Sequence, residues 1–577
     1  MKKLKSLKCL ILLFSIVGCT SNPSSSISLS NSSILSSSNL SSSSSESVFK
    51  EKIEATLVDG EDYIDHSQTY DYDKETFEYD KSLWYINELD KVPLPDPHVF
   101  EEDGTYYIVG TNDAGQCQYV DCYYTTDFVD FEFASKIFNP KTYDGWENKE
   151  NPTIYAPEIF KIDGYYYMYY SAKENTEAGV RRNSVVRSRN VLGPYEPIIE
   201  GDINGLKAPI FNYDVNRGLD TTIFIDDDGK MYMYYATRDH EQHIVGVELI
   251  SPYEADWTTR TEIVRPGSIK VTDEDKPLYW ETYRYIYIAE GPYMIKSPNG
   301  KYYMTYSVNG CWNKYYNVCY AVSDSPLGEF VKPYEEGKIW TNLLLGYPGT
   351  NDDESDVYNQ WSGFASGTGH HSFFKIGDQI MIGYHAHQNR NFNSQSGFVG
   401  RFFAMDPLYF DEDGVPFCNG PTYSIQPLPE AISGYKNIAK DAKVRVQNVE
   451  NEKAINDNYI VDCYNLENDD KEVKLGKDYS FIEFTFDKEY EIGGLAIYNS
   501  AFYEKTLFEI EYINMMNDNI IKYPVFSDAY FNYEYDFIFP NSAFTLEMKK
   551  EVKTNKIVFC FNLSESLNIN EIVILGK

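Results

Sequence analysis

The chain has few cysteines, and their spacing excludes the classes of small protein that depend on them. There are 9 in 577 residues. The seven that follow Cys19 are odd in number and lack zinc-ligand spacing, so neither a zinc site nor a dense disulfide framework is indicated. Local disulfides within the pairs Cys117/Cys122 and Cys311/Cys319 remain open, as do buried free thiols.

Positive charge is also scarce. The chain carries 51 basic and 88 acidic residues, a formal net charge of −37. A nucleic-acid-binding protein needs a basic surface to displace counterions from phosphate, and no such surface is indicated. Anionic membranes and polyanionic substrates are disfavoured for the same reason, so a neutral polymer is the expected partner.

Long hydrophobic runs are missing as well. The apolar segment Leu10–Val17 is too short to cross a bilayer and follows several lysines, which is typical of a targeting signal. It ends at Gly18-Cys19, which resembles a bacterial lipoprotein cleavage site. Residues 1–19 are therefore expected to be a lipoprotein-type signal peptide with a lipid anchor at Cys19, the alternative being an ordinary or uncleaved secretory signal. Residues 20–47 are rich in serine and are expected to form a disordered tether.

Aromatic residues are abundant, with 52 tyrosines and 33 phenylalanines. Tyrosine favours β-strands, and its ring packs on apolar surfaces while its hydroxyl stays hydrated. Strand propensity explains most of these residues. Aromatic rings also suit carbohydrate, because the C–H faces of sugars pack against them.

A hairpin pattern recurs five times. Each copy is a short strand, a tight turn with glycine and a second aromatic-rich strand, as in Ile159–Tyr170. The turn glycines, separated by 60, 65, 71 and 77 residues, are Gly104, Gly164, Gly229, Gly300 and Gly377. Repeats with room for about four strands each predict an all-β fold with a five-bladed β-propeller. A β-sandwich with irregular hairpins is the competing interpretation.

A polar residue precedes the first strand of each repeat, at what the sequence suggests are matching places. In a propeller such residues point into one central channel. Like charges in one pocket raise each other's pKa, so a cluster of this kind is a candidate functional site. Its members are Asp96, Glu158, Asp220, Glu290 and His370.

These motifs resemble glycoside hydrolase family 43, whose members are five-bladed propellers that cleave arabinosyl, xylosyl and sometimes galactosyl linkages. The resemblance covers roughly residues 91–430. It implies that Asp96, in Asp96-Pro97, is the general base and that Glu290, in Glu290-Gly291-Pro292, is the general acid. It implies that Asp220 orients the acid and tunes its pKa. It also implies that His370 helps to hold a structural calcium ion.

The resemblance suggests substrate-binding residues too. Arg401 lies where the family often has a substrate-contacting arginine. Tyr155 and Glu158 replace the tryptophan and aspartate of the usual Trp-Ala-Pro-Asp motif, so Tyr155 still offers a stacking face while the role of Glu158 is open. Asn112 and Trp361 are further candidates for contact with the sugar.

The expected chemistry is inverting hydrolysis. A base activates water and an acid protonates the leaving oxygen, with the two carboxyl groups about 6.5–9.5 Å apart. The substrate is expected to be a plant-type or other neutral polysaccharide, and an arabinofuranosidase or xylosidase is the first expectation. An endo-arabinanase or a galactosidase remains open. A non-catalytic glycan-binding surface lipoprotein and an interaction propeller are the alternatives from other classes.

Residues 48–90 are expected to lead into the propeller, and residues 435–577 to form a second domain. Alternating strands such as Ser480–Phe486 and Asn570–Leu575 predict a β-sandwich there. The segment resembles discoidin-like modules, which bind carbohydrate or act as spacers, and both roles stay open. The whole chain is thus expected to be an extracellular, surface-anchored protein.

Overall fold

A computed structural model of the chain describes most of the region after residue 62. The described residues are 63–65, 70–71, 76–77, 79–88, 90–198, 202–203, 206–207, 211, 217–271, 274–346, 365–387, 400–422, 425–459, 472–499, 506–507, 510–516, 520–523, 537–538 and 543–577. The predicted signal peptide and serine-rich tether lie outside them.

Five four-stranded antiparallel sheets follow one another along the chain. The turn glycines of their first hairpins all have positive φ, from 60° to 84°, the conformation that a tight turn requires and that glycine adopts readily. The predicted five-bladed propeller is confirmed. Its strands are His98–Glu102, Thr105–Val109, Val120–Thr125 and Glu132–Phe138 (blade 1); Tyr155–Ile162, Tyr165–Lys173, Arg181–Ser188 and Glu196–Pro197 (blade 2); Leu219–Ile225, Met231–Arg238, Gln242–Ser251 and Glu254–Val264 (blade 3); Ala289–Lys296, Tyr302–Val308, Asn317–Ser323 and Leu343–Leu345 (blade 4); and Gly369–Ile376, Gln379–His387, Arg401–Phe410 and Pro416–Cys418 (blade 5).

Apolar faces of neighbouring blades pack against each other around the ring. Blade 1 contacts blade 5 through a cluster that includes Ile108, Met381 and Met405, all at most 1% exposed. A short ladder between Trp84–Tyr85 and Gln426–Pro427 joins the two ends of the propeller. The ring is therefore closed both by side-chain packing and by backbone pairing.

The C-terminal region is a second all-β unit. Two long strands, Asp478–Asn499 and Ala543–Leu563, pair along most of their length within a ten-stranded sheet. Apolar residues of this sheet, among them Phe484, Ile497 and Phe559, are fully buried in one core. This arrangement agrees with the predicted sandwich. The other strands of the sheet are Tyr63–Asp65, Lys436–Asn437, Lys443–Gln447, Val449–Glu450, Val473–Leu475, Ile510–Met516, Ile520–Tyr523 and Leu567–Gly576.

The two β-units share an apolar interface. Ala496, Tyr498 and Val573 of the C-terminal unit pack with Trp84 and Ile425 near the propeller closure. The Tyr498 hydroxyl donates a hydrogen bond to the Ile425 carbonyl over 3.0 Å. The C-terminal unit is therefore packed directly on the propeller.

The remaining elements are short. Two-stranded hairpins pair Tyr70–Asp71 with Thr76–Phe77, Asp202–Ile203 with Leu206–Lys207, Ser268–Val271 with Glu274–Pro277, and Thr506–Leu507 with Phe537–Ile538. The helices are Pro140–Thr142, Tyr279–Glu281, Tyr283–Tyr285, Glu430–Ser433, Ala439–Asp441 and Glu452–Asn456. Within the described ranges, no helix has the length and hydropathy needed to span a bilayer. Cys117, Cys122, Cys311 and Cys319 form no disulfides.

Candidate active site

In each blade, one residue within two positions of the start of the first strand has a positive φ. These residues are Asp96 (55°), Ala156 (43°), Asp220 (56°), Gly291 (53°) and His370 (42°). In blades 2 to 5 the pairing of the first two strands shifts register at this point, as at a β-bulge. A bulge bends the strand and redirects its side chains. A residue of positive φ recurs in all five blades, and a register shift accompanies it in blades 2 to 5.

The bulges correct the sequence-based alignment of the five polar residues. Asp96, Asp220 and His370 do occupy one structural position. Glu158 lies two residues after the bulge residue of blade 2, whereas Glu290 lies one residue before that of blade 4. The five residues therefore do not form a single ring of equivalent positions.

Gly291 is needed at the bulge of blade 4. A Cβ atom there would lie 3.1 Å from Cγ and 3.3 Å from Cα of His370, and its φ is also positive. Glycine thus lets blade 4 approach His370 of blade 5 closely. This contact brings Glu290, the preceding residue, beside the centre of the channel.

Asp96 is a buried carboxylate with a cationic partner. Its Oδ1 atom accepts a hydrogen bond from Arg401 Nη1 at 3.0 Å, and its Oδ2 atom accepts one from Thr111. Burial alone would raise the pKa of Asp96, but Arg401, with His370, holds it well below its usual value. Asp96 is therefore ionised across the physiological pH range.

His385 supports Asp96 from blade 5. Its Nδ1 atom accepts a hydrogen bond from the Asp96 backbone N–H at 3.2 Å and lies 3.4 Å from Oδ1. Burial lowers the pKa of His385 to about 3. The ring is thus neutral, and its role is to fix the backbone of Asp96.

Glu290 is partly buried, and its carboxyl accepts hydrogen bonds from two neutral side chains. Gln242 donates to Oε2, and the Tyr316 hydroxyl donates to Oε1 at 2.9 Å. Burial and the nearby Asp220 raise the pKa of Glu290 to about 7, against the opposing effects of His370 and Tyr316. Glu290 therefore carries a proton at mildly acidic pH.

Asp220 lies between these two groups. Its Oδ2 atom accepts a hydrogen bond from the Gly291 N–H at 3.0 Å and lies 3.9 Å from His370 Nδ1. Its own N–H donates to the Ser171 hydroxyl at 3.1 Å. Burial raises the pKa of Asp220, and Asp96 adds to that effect while His370 opposes it.

A family model for glycosyl hydrolases family 43 matches residues 91–416, which include all five blades except the end of the last strand. The chain belongs to this family. The matched region coincides with the propeller.

The similar proteins include two curated relatives and one solved structure. Over 256 residues the chain is 27% identical to the β-D-galactofuranosidase xynD of Aspergillus niger, covering 43% of this chain and 57% of that protein. Over 275 residues it is 25% identical to a xylosidase/arabinosidase of Butyrivibrio fibrisolvens, covering 47% of each. The chain therefore spans about half the length of the curated relatives it matches. A crystal structure of a thermostable family-43 glycoside hydrolase shares 26% identity, with a TM-score of 0.46, over 60% of this chain and 99% of that one.

The other predicted substrate residues of this family 43 chain lie in different settings. Tyr155 is half-buried, and its hydroxyl accepts a hydrogen bond from Arg181 Nη2 at 3.1 Å. Glu158 is 4% exposed, and burial raises its pKa well above the usual value. Asn112 donates to Asp121 and accepts from the Gly115 N–H, so its amide orders a loop. Trp361 lies outside the described residues, and the sugar contacts of all four stay predictions.

Arg401 has a second carboxylate partner besides Asp96. Its Nη2 atom lies 3.0 Å from Oδ2 of Asp113, whose side chain is 37% exposed. Arg401 therefore connects the buried Asp96 to the more exposed Asp113. A sugar that contacts Arg401 must share it with these two carboxylates.

The site does not by itself form a calcium cage. Calcium takes six to eight oxygen ligands, whereas His370 offers nitrogen. The described part of the chain contains no group of three histidine, cysteine, aspartate or glutamate side chains arranged to hold a metal ion. The calcium expected beside His370 stays a prediction, and the proton transfers proposed for Asp96 and Glu290 do not depend on it.

Three residues of the site were not predicted from the sequence: Gln242, Tyr316 and His385. Gln242 begins the third strand of blade 3, Tyr316 directly precedes the third strand of blade 4, and His385 lies near the end of the second strand of blade 5. The repeated pattern singles out the starts of first strands, and these three residues lie elsewhere. The pairing of a tyrosine and a glutamine with one carboxyl has no linear motif.

Proposed function

We propose that the chain is an inverting glycoside hydrolase acting on arabinosyl or xylosyl linkages, with galactosyl linkages as an alternative. Asp96 is the general base and Glu290 the general acid. The observation that carries this proposal is that two carboxyl groups of one channel have different hydrogen-bond partners, Arg401 for Asp96 and the neutral Gln242 and Tyr316 for Glu290.

The proposed step balances its protons. Asp96 takes a proton from the attacking water while the water oxygen bonds to the anomeric carbon. The bond from that carbon to the leaving oxygen breaks as Glu290 donates its proton to that oxygen. Product release and exchange with solvent return Asp96 to its ionised state and Glu290 to its protonated state.

Asp220 is proposed to act through Glu290. Its negative charge raises the pKa of Glu290, which keeps the proton available near neutral pH. Its hydrogen bond from the Gly291 N–H fixes the backbone that carries the acid. In this proposal Tyr155 and Arg401 contact the sugar bound at the acid and base.

The proposal includes an extracellular location. Several relatives are named extracellular enzymes, among them an endo-α-(1→5)-L-arabinanase of Bacillus subtilis. With the lipoprotein-like sequence at Cys19, this supports a surface-anchored enzyme that acts on polymer outside the cell. Labelling of the protein with a radioactive fatty acid, in wild type and in Cys19→Ala, tests the anchor.

The stereochemistry of hydrolysis tests the mechanism. An NMR spectrum recorded early in the reaction, before mutarotation, should show product of the opposite anomeric configuration to the substrate. Product that keeps the configuration would mean that Asp96 is a nucleophile. Tight binding of oligosaccharides without any turnover would favour the non-catalytic glycan-binding alternative.

A further inference from the structure

Two arginines without carboxylate partners lie between blades 2 and 3, beside the candidate site. Arg181 begins the third strand of blade 2, and Arg217 precedes the first strand of blade 3. Their backbones are adjacent, because the Gly218 N–H donates to the Arg181 carbonyl at 3.0 Å. Neither guanidinium forms an ion pair with a described residue.

Arg181 is directed toward a residue of the pocket. Its guanidinium carbon lies 4.6 Å from the centre of the Tyr155 ring, and Nη2 donates to the Tyr155 hydroxyl. Tyr155 occupies the position in blade 2 that Glu290 occupies in blade 4, one residue before the bulge. The Arg181 Nε atom is buried and has no hydrogen-bond acceptor.

Arg217 interacts electrostatically with Glu290 and Asp220. Its Nε atom is also buried without an acceptor. Burial and the neighbouring Arg181 lower the pKa of Arg217, while Glu290 and Asp220 oppose that effect. Arg217 is therefore within electrostatic range of both Arg181 and the acid.

This pairing is unusual for the chain. Arg182, the next residue along the strand, contacts Glu174 at 3.0 Å, and Arg401 contacts Asp96 at 3.0 Å. With a net charge of −37, carboxylates are plentiful, yet neither arginine has a carboxylate partner among the described residues, and each lies within electrostatic range of the other. Two adjacent guanidinium groups with unused donors repel each other, and an anion between them relieves that repulsion.

A third polar group lies on the same face of the strand. Side chains two residues apart on a strand share a face, so Asn183 lies beside Arg181. Asn183 is fully buried, and neither its amide nitrogen nor its oxygen has a hydrogen-bond partner. A ligand with an anionic group and hydroxyls would satisfy such a set of donors and acceptors.

We propose that Arg181 and Arg217 bind the carboxylate of a uronic acid residue next to the sugar that is cleaved. This inference rests on the proposed hydrolase function and names its substrate class. A planar carboxylate matches the two-pronged donor geometry of guanidinium groups, and a uronic acid also offers hydroxyls. The global negative charge, which favoured a neutral polymer, does not describe this local surface.

Direct binding tests the inference without relying on turnover. The full chain is titrated by calorimetry with methyl glucuronoside and methyl galacturonoside, and with the matching neutral methyl glucoside and galactoside. At least one uronoside should bind about tenfold or more tightly than its neutral counterpart, with an affinity that falls as salt is added. Equal affinities for the charged and neutral sugars would overturn the inference.

Variants locate the site. Arg217→Met and Arg217→Lys should both reduce the preference for the uronoside, since lysine keeps the charge but not the two-pronged geometry. Arg189→Met is the control for the loss of an arginine: like Arg181, Arg189 lies over a tyrosine ring and donates a hydrogen bond to its hydroxyl, and it directly follows the third strand of blade 2. Unchanged preference in a folded Arg217→Lys protein, or an equal loss in Arg189→Met, contradicts the proposal.

Two further experiments distinguish a uronic acid site from a general anion site and from failure of the proposed hydrolase function. Inorganic sulfate that binds as tightly as the uronoside would indicate a general anion site and overturn the uronic acid assignment. Turnover is compared on oligosaccharides carrying a uronic acid and on the same oligosaccharides after carboxyl reduction. Uronoside binding without turnover would reject the hydrolase function alone, whereas equal turnover of both substrates would reject the uronic acid preference alone.

Discussion

The two sides of the channel treat the same chemical group in opposite ways. On one side Asp96 is buried with Arg401, and on the other Glu290 is partly buried with the neutral donors Gln242 and Tyr316. Burial opposes charge on both carboxyls, but only Asp96 accepts a hydrogen bond from an arginine. The neighbours of each carboxyl therefore contribute to the difference in its pKa, and with it to the proposed division into acid and base.

Removing either carboxyl gives the largest expected effect. Glu290→Gln and Asp96→Asn should each lower kcat by about 10²–10⁴-fold, because each removes a proton-transfer group. The two should differ on an aryl glycoside whose leaving group needs no proton. Steady-state assays should show that Glu290→Gln recovers activity on that substrate and that Asp96→Asn does not.

The assay has a simple control. Circular dichroism should show that both variants keep the β-rich fold. Near-normal activity of a folded variant on an unactivated substrate would mean that the substituted carboxyl is neither the acid nor the base.

The same two substitutions should change stability in opposite directions. Folding raises the pKa of Glu290 from 4.5 to about 7, so stability is lost as pH rises through this window and stays lost above it. Glu290→Gln should therefore be more stable than wild type at pH 8, by about 3 kcal/mol, with the gain fading toward pH 4.5.

Asp96→Asn should be less stable than wild type. Folding lowers the pKa of Asp96, so its contribution is present above its unfolded value and is lost as acid protonates the folded state. Leaving Arg401 with a neutral partner should cost about 3 kcal/mol at pH 8. Urea denaturation at pH 8 and pH 5 measures both variants, and shifts of equal sign would contradict the comparison.

The sequence predicts those features of the site that are encoded within a single hairpin. Each hairpin has its own turn glycine and strand pattern, so the propeller can be predicted locally. Asp96, Asp220 and His370 follow from the repeat because they occupy equivalent positions of positive φ. The deeper position of Glu158 depends on a register shift that only strand pairing reveals.

The partners that set the pKa values of the two carboxyls lie far from them in sequence. Arg401 lies 305 residues from Asp96 along the chain, and Gln242 lies 48 residues from Glu290. Sequence suggested that Arg401 contacts substrate, whereas the structure pairs it first with Asp96 and Asp113. Such pairs come from closure of the ring, which no single repeat encodes.

A subtler change should sharpen the comparison. Tyr316 donates to Glu290 and thereby favours its ionised form. Tyr316→Phe should raise the pKa of Glu290, moving the alkaline limb of the activity profile to higher pH by up to about one unit. The pH dependence of kcat/KM measures this shift.

Tyr306→Phe is the control for Tyr316→Phe. Tyr306 is a buried tyrosine of the same blade that bonds to Glu281 instead of Glu290. Tyr306→Phe should reduce the stability of the protein without moving the alkaline limb of the activity profile. A limb that moves equally in both variants would show that the effect is a general loss of packing.

The pH dependence of kcat/KM of the wild-type protein tests the division of the two carboxyls most directly. On an unactivated disaccharide, activity should stay level from about pH 4.5 to pH 6, since Asp96 remains ionised there. It should then fall about tenfold per pH unit above about 7, as Glu290 loses its proton. A profile that instead rises through pH 7 would mean that the group titrating there must be ionised, which contradicts the assignment of Glu290 as the acid.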